Sequence, residues 1–252
     1  MAKSFITGLM LMACCCWLSA YALDNTSLQP YRADYTLSIS GQVMGKAYRQ
    51  LHALGKGQYR FETDADAGMI AHAHEVSEFS VNDQGRLVAD SYHLQRQLLF
   101  SHRQTDLVFL WKQNLLQTQT ERDGQQSFPL LPGTLDKLSL EVQMRLDLQK
   151  SNPDLSYPLA DADGIKPYRY IISGNETLDT ALGKMNTLKV ERPHDPSSAR
   201  STTFWVAPSL GFLPVQVEQI EHGTIFLLRI THYEALNNTQ GASNTPTPSP
   251  LH

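Results

Sequence analysis

From Tyr31 onward the chain alternates apolar and polar residues with a period of two, and it repeats this pattern along most of its length. Tyr31, Ala33, Tyr35, Leu37 and Ile39 fall on one side, and Arg32, Asp34, Thr36 and Ser38 on the other. Successive side chains of a strand project to opposite faces, so the pattern demands a strand with one face buried. After a Ser40-Gly41 turn, residues 43–54 supply a partner. Gly55-Lys56-Gly57 then leads into a third strand, where Tyr59, Phe61, Thr63 and Ala65 oppose Arg60, Glu62, Asp64 and Asp66. Three strands joined by short glycine-bearing turns predict an antiparallel meander.

The same reasoning predicts strands over 70–81, 86–101, 106–112, 115–122 and 126–130, with Asn82 to Gly85 and Asp123-Gly124 as turns. Later strands are expected over 168–174, 176–180, 185–192, 201–206, 213–220 and 224–233. One segment breaks the period. From Leu135 to Gln149, Leu135, Leu138, Val142 and Leu146 share one side of a helix, Leu140, Met144 and Leu148 line the other, and Thr134 is a candidate N-cap. A helix apolar on two sides packs between two layers. Either a sheet lies beneath it and a loop above, or the helix is the lid of an apolar cavity. Residues 151–167, rich in Pro, Asp and Ser, read as a surface connection.

About eleven to thirteen strands and one helix are thus expected, in a single domain spanning residues 23–235. Long sheets twist, and their edges need protection. The predicted fold is mainly β: a strongly curved or barrel-like antiparallel sheet with one substantial helix packed against it. A two-sheet sandwich is the competing arrangement. Residues 236–252, with little to bury, are expected to be a disordered tail.

The three cysteines, Cys14, Cys15 and Cys16, all sit in the one long apolar run near the start. Lys3, the apolar residues 5–18 and Ala20-Tyr21-Ala22 have the layout of a secretory signal covering residues 1–22. A competing reading makes Cys14 a lipid-anchored first residue, although Met12 fits that processing pattern poorly. Without residues 1–22 the chain holds 20 basic and 25 acidic side chains and no transmembrane span is expected. Its basic residues are scattered, which argues against a nucleic-acid partner and leaves a polyanionic one only where a local cavity reverses the sign.

No motif in the sequence carries established chemistry. His72 and His74 share one strand face, but no third or fourth ligand accompanies them, so neither a metal site nor a cofactor is expected. No serine sits in a Gly-x-Ser-x-Gly elbow, and the acids Asp64, Asp66, Glu75 and Glu78 are those any solvated strand face carries. The polar residues worth attention are Arg96, Glu176, Arg192 and Glu218, in or beside apolar strand patterns. Arg192 could pair with Glu176 or Glu218, or the set could meet an acidic head group. Tyr35, Phe61, Leu138, Val142, Trp205 and Phe212 are the candidates for lining or rimming a cavity.

Several stretches, taken in order, resemble a bacterial exported family, domain of unknown function 3108. They are Tyr31 to Tyr35 with Gly41, Gly45 and Ala47; Leu135 to Ser139; Gly174 to Gly183; Lys189 to Arg192; Phe204 to Ala207; and Leu213 to Glu218. The likeness spans residues 30–235. It implies a curved antiparallel β structure in the cell envelope, in the periplasm of a Gram-negative bacterium, and it brings no catalytic role. The functional expectation is a noncatalytic envelope protein, monomeric or weakly oligomeric, that binds or carries a lipid or other apolar ligand, or that works with an envelope protein doing so. The alternatives are a structural or adaptor protein with a filled barrel core and, third, an envelope hydrolase.

Overall fold

The computed structural model describes residues 28–99, 101–150, 153–193 and 199–237. The signal segment, Cys14, the His194 to Ser198 loop and nearly all of the expected tail lie outside them. The opening meander forms as its alternation dictates: β1 (Tyr31–Ile39), β2 (Gln42–Gly55) and β3 (Gln58–Asp66). Tyr31, Ala33, Tyr35 and Leu37 are all buried, and the residues between them are not.

The ladder continues through β4 (Ala71–Val81), β5 (Leu87–Leu98), β6 (Ser101–Leu110), β7 (Leu115–Thr120) and β8 (Gly124–Pro129). The single strand expected over 86–101 is therefore two. It breaks at Leu99, whose φ of 50° is left-handed without the help of glycine.

The helix α1 covers Lys137–Asp147 and is followed by β9 (Ser156–Asp161) and β10 (Gly164–Arg169). This hairpin replaces the surface connection expected over 151–167. It is anchored by Leu155, Tyr157 and Leu159, which alternate into the core. The helix starts two residues later than expected. Asp136, not Thr134, is its N-cap, with the carboxylate accepting from the Leu138 and Ser139 amides while the Ser139 hydroxyl accepts from the Asp136 amide. Thr134 turns its hydroxyl back to the Leu131 carbonyl instead. Both apolar sides of α1 are buried apart from the half-buried Leu146, and the helix packs against β3, β4, β5 and β9.

The rest of the chain forms β11 (Ile171–Thr180), β12 (Gly183–Glu191), β13 (Arg200–Ala207), β14 (Leu213–Glu221) and β15 (Thr224–Ala235). Thirteen strands make one sheet in the order β11-β12-β13-β14-β15-β1-β2-β3-β4-β5-β6-β7-β8, with β9 and β10 a separate pair. The first and last strands thus meet in mid-sheet, Tyr31 opposite Ala235.

The expected barrel-like or strongly curved sheet is not what forms. The ladder is open, and its terminal strands β11 and β8 do not pair with each other. Closure is not needed to bury the inner face, because α1 and the β9–β10 hairpin cover it. Phe128 of β8 packs beside Gly164 at the start of β10, where a Cβ would sit 3.2 Å from the ring. Edge strand β11 is solvated along nearly its whole length and presents Ser, Asn, Glu, Thr and Asp, which suits an unpaired edge.

Bulges interrupt β1–β2 at Leu37/Ser38, β4–β5 at Glu78/Phe79 and β13–β14 at Trp205/Val206. Each sharpens the local twist. Gly45 stands just past the first of them, and a Cβ there would lie 1.9 Å from the Asp66 carbonyl oxygen. Only glycine lets β2 approach β3 this closely.

Candidate functional site

Between α1 and the sheet lies a cavity of about 300 Å³. Its apolar wall comes from Leu94 of β5, Leu138 and Leu140 of α1, Leu159 of β9, Phe204 of β13 and Leu228 of β15. Period-two alternation sends each strand residue inward, and the two-sided apolar helix supplies the lid.

Charged side chains, among them Asp64, Glu75, Arg96 and Arg192, share the lining with this apolar wall, and one pair is deeply buried. Arg49 of β2 and Glu141 of α1 form a salt bridge with side chains only 10% and 5% exposed, one guanidinium nitrogen reaching both carboxylate oxygens. Burial alone would lower the Arg49 pKa, but the charge and hydrogen bond of Glu141 and the nearby Tyr35 outweigh it and raise it. Arg49 Nε is buried with no partner among the described residues. Tyr35 stands beside the pair, its hydroxyl donating to the Pro214 carbonyl at 2.8 Å, and burial holds it well above the ordinary phenol range. Tyr31, likewise enclosed, is pushed up to about 12 by burial.

Two further clamps hold α1. At its start the buried Asp136 carboxylate accepts from Ser77 of β4 at 2.8 Å and from the Ser139 hydroxyl at 2.6 Å. At its end Asp147 accepts from Arg86 at 3.0 Å, Tyr157 at 3.1 Å and Gln143 at 3.2 Å, and pairs with Lys150. Gln143 also accepts the Leu87 amide at 2.8 Å. The helix is tied to β2, β4, β9 and the β4–β5 turn by buried polar contacts along its length.

At the far ends of the strands, Glu221 of β14 meets Arg96 of β5 at 2.7 Å and Arg200 of β13 at 2.7 Å. Five strands separate β14 from β5 in the ladder. The two strands share no backbone pairing, and these ion pairs link their ends through side chains. Burial pushes the Glu221 carboxyl up, but the Arg96 hydrogen bond and the Arg96 and Arg200 charges outweigh it and hold it below its ordinary 4.5.

A depressed carboxyl contributes stability that is complete above its unfolded value and is lost as pH falls through its folded one. Urea midpoints measured across acid pH should therefore fall more steeply below about pH 4.5 for the wild type than for Glu221→Gln. Parallel curves would show that the clamp carries no such linkage.

Of the residues singled out from sequence, Arg96, Arg192 and Leu138 line the cavity. Arg192 pairs with neither Glu176 nor Glu218 among the described residues. Its guanidinium lies 3.9 Å over the Tyr168 ring. Glu176 accepts from the Trp205 indole at 2.7 Å on the other side of the sheet end, and Glu218 is half-buried on β14. Phe61 and Val142 are fully enclosed core residues, Tyr35 and Trp205 are buried, and Phe212 is half-buried after the Pro208–Leu210 turn of 3-10 helix.

Arg49, Glu141, Arg200 and Glu221 were not anticipated. Arg49 had a visible signal, since it shares the inward parity of Ala47 and Leu51, both buried. His72 and His74 both face the Asp64 carboxylate, at 3.8 and 3.3 Å. Among the described residues no three His, Cys, Asp or Glu side chains are placed to hold a metal ion.

The family model for a protein of unknown function, DUF3108, matches residues 30–228. The chain belongs to the DUF3108 family. No curated protein matches it. Among solved structures, the DUF3108 chain is similar to a beta-barrel-like protein of domain of unknown function DUF1849 from Brucella abortus. The TM-score is 0.54 at 11% identity, over 83% of this chain and 99% of that one. At that identity the likeness shows the fold alone. A hypothetical protein from Chlamydia trachomatis, CT021, aligns at 15% identity over 87% of this chain and 93% of that one, with a TM-score of only 0.24. No helix among the described residues of this DUF3108 member is long and apolar enough to cross a membrane.

Proposed function

We propose that this DUF3108 protein is a noncatalytic structural or adaptor protein of the bacterial cell envelope. The observation that carries the reading is the triple clamping of α1 through Asp136, Glu141 and Asp147. Opening such a helix as a gate would break enclosed hydrogen bonds and ion pairs at all three places together. A helix held this way supports a fixed surface better than a moving lid. The export layout of residues 1–22 supports a periplasmic location, with attachment through Cys14 as the competing arrangement.

A second reading is favoured by the cavity itself. A space of about 300 Å³ with an apolar stretch of wall is at the small end of ligand sites, and it gives room for an apolar or lipid molecule without moving the helix. The two readings separate on isolation of the native protein from crosslinked cell envelopes. The structural reading expects one envelope protein recovered in stoichiometric amount and no lipid above background by mass spectrometry. A reproducibly enriched lipid with no protein partner would overturn it in favour of the second.

A further inference from the structure

A second pocket, of about 320 Å³, adjoins the cavity where the ends of β5, β6, β13 and β14 meet, and the two share Arg96, Leu98, Arg200, Glu221 and Phe226. Its wall carries three guanidiniums, Arg96, Arg103 and Arg200, but one carboxylate, Glu221. With His222 neutral, the lining has a formal charge of plus two. Asp161, 3.7 Å from Arg103, lowers it to plus one. The whole chain carries minus four, so the positive sign at this mouth is a local construction.

Glu221 is enclosed, with its side chain 10% exposed, whereas the three guanidiniums remain partly open to solvent. Planar guanidiniums recognise carboxylate, sulfate and phosphate groups by charge and by forked hydrogen bonding. Behind this mouth the lining gains an apolar stretch, Leu94, Leu138, Leu159, Phe204 and Leu228, beside charged side chains that include Asp64, Glu75, Arg49, Glu141 and Arg192. A cationic opening beside an apolar stretch of wall is complementary to a molecule whose head is anionic and whose tail is hydrocarbon.

We infer that the two pockets form one site for a single-chain anionic amphiphile, with its head at Arg96 and Arg103 and its tail between α1 and the sheet. The inference rests on the ligand-binding reading of the cavity and specifies the ligand. The chamber's volume suits one chain rather than two. Arg49 and Glu141, paired in the wall, stay paired, and the tail packs past them.

The test is equilibrium dialysis of the purified full chain at neutral pH against dodecanoate, dodecanol and dodecyltrimethylammonium, repeated with Arg103→Gln. Arg103 lies outside the Glu221 clamp, so this variant should melt as the wild type does. Dodecanoate should bind saturably at one per chain and about tenfold more tightly than the alcohol, as expected for loss of a charge-assisted contact. The cationic amphiphile should bind least. Arg103→Gln should weaken dodecanoate about tenfold and leave dodecanol unchanged, and added salt should weaken only dodecanoate.

Equal affinity for the acid and the alcohol would overturn the anionic assignment while leaving the apolar cavity as a binding site. If neither binds, the ligand-binding reading falls with it. Multiple, unsaturable binding indifferent to Arg103→Gln would mark surfactant adsorption and also overturn the site.

Discussion

Glu141→Leu should destabilise the protein by about 3–5 kcal/mol, because it leaves the Arg49 guanidinium charged, buried and unpaired. For a domain of this size each kcal/mol lowers Tm by about 2–4 °C, so a loss on the order of 10 °C is expected. The loss reflects the stranded charge and not the net worth of the pair. Taking two charges out of water costs about as much as their attraction returns. The double variant Arg49→Met, Glu141→Leu should consequently recover to within about 1–2 kcal/mol of the wild type. Urea unfolding of the two single variants, the double variant and the wild type measures the cycle. A double-variant loss equal to the sum of the two single losses would show that Arg49 and Glu141 act independently. The solvent-exposed pair Lys166–Asp163 is the natural control, since its removal should change stability by less than about 1 kcal/mol.

Asp136→Ala should cost about 2–4 kcal/mol, combining a lost helix cap with two buried serine hydroxyls deprived of their acceptor. Asn at the same position keeps an acceptor oxygen and should recover about half of that loss. Burial already raises the Asp136 pKa against the hydrogen bonds from Ser139, Ser77 and Leu138, which lower it. A carboxyl raised in the folded state lowers stability as pH climbs through its titration, opposite in sign to Glu221. The Asn variant should therefore be relatively less disadvantaged above that range than below it. Denaturant midpoints followed by far-UV circular dichroism would decide the matter. Equal stability of the Ala and Asn variants would deny the cap any role.

These residues also show where local pattern is informative and where it fails. The alternation at Tyr31, Ala33 and Tyr35 defines β1 residue for residue, because a half-buried strand allows no other spacing. The same alternation reveals Arg49 once Ala47 and Leu51 are placed inward. Nothing local points to its partner, Glu141, ninety-two residues away. Leu99 takes a left-handed turn with apolar neighbours and no Gly, Asn or Asp to announce it. The β9–β10 hairpin was obscured by Pro158, Asp161, Asp163 and Pro167, although Leu155, Tyr157 and Leu159 alternate and Asp163-Gly164 is turn chemistry. Thr134 and Asp136 are both good caps by type, and only the packing of Ser77 beside the helix start selects between them. Whether a ladder closes depends on twist and register summed over all its strands. A helix and a hairpin that cover the inner face can make closure unnecessary.

The meeting of β1 and β15 in mid-sheet has a consequence for how the chain acquires its structure. Residues Tyr31–Pro129 and Ile171–Ala235 are each runs of neighbouring strands, so each can assemble from contacts close along the chain. The seam that unites them joins the earliest strand to the last, and closing so long a loop is the slow, entropically costly step. Until β15 is present, no backbone pairing holds the two runs side by side. Assembly of this sheet is thereby timed by the arrival of β15.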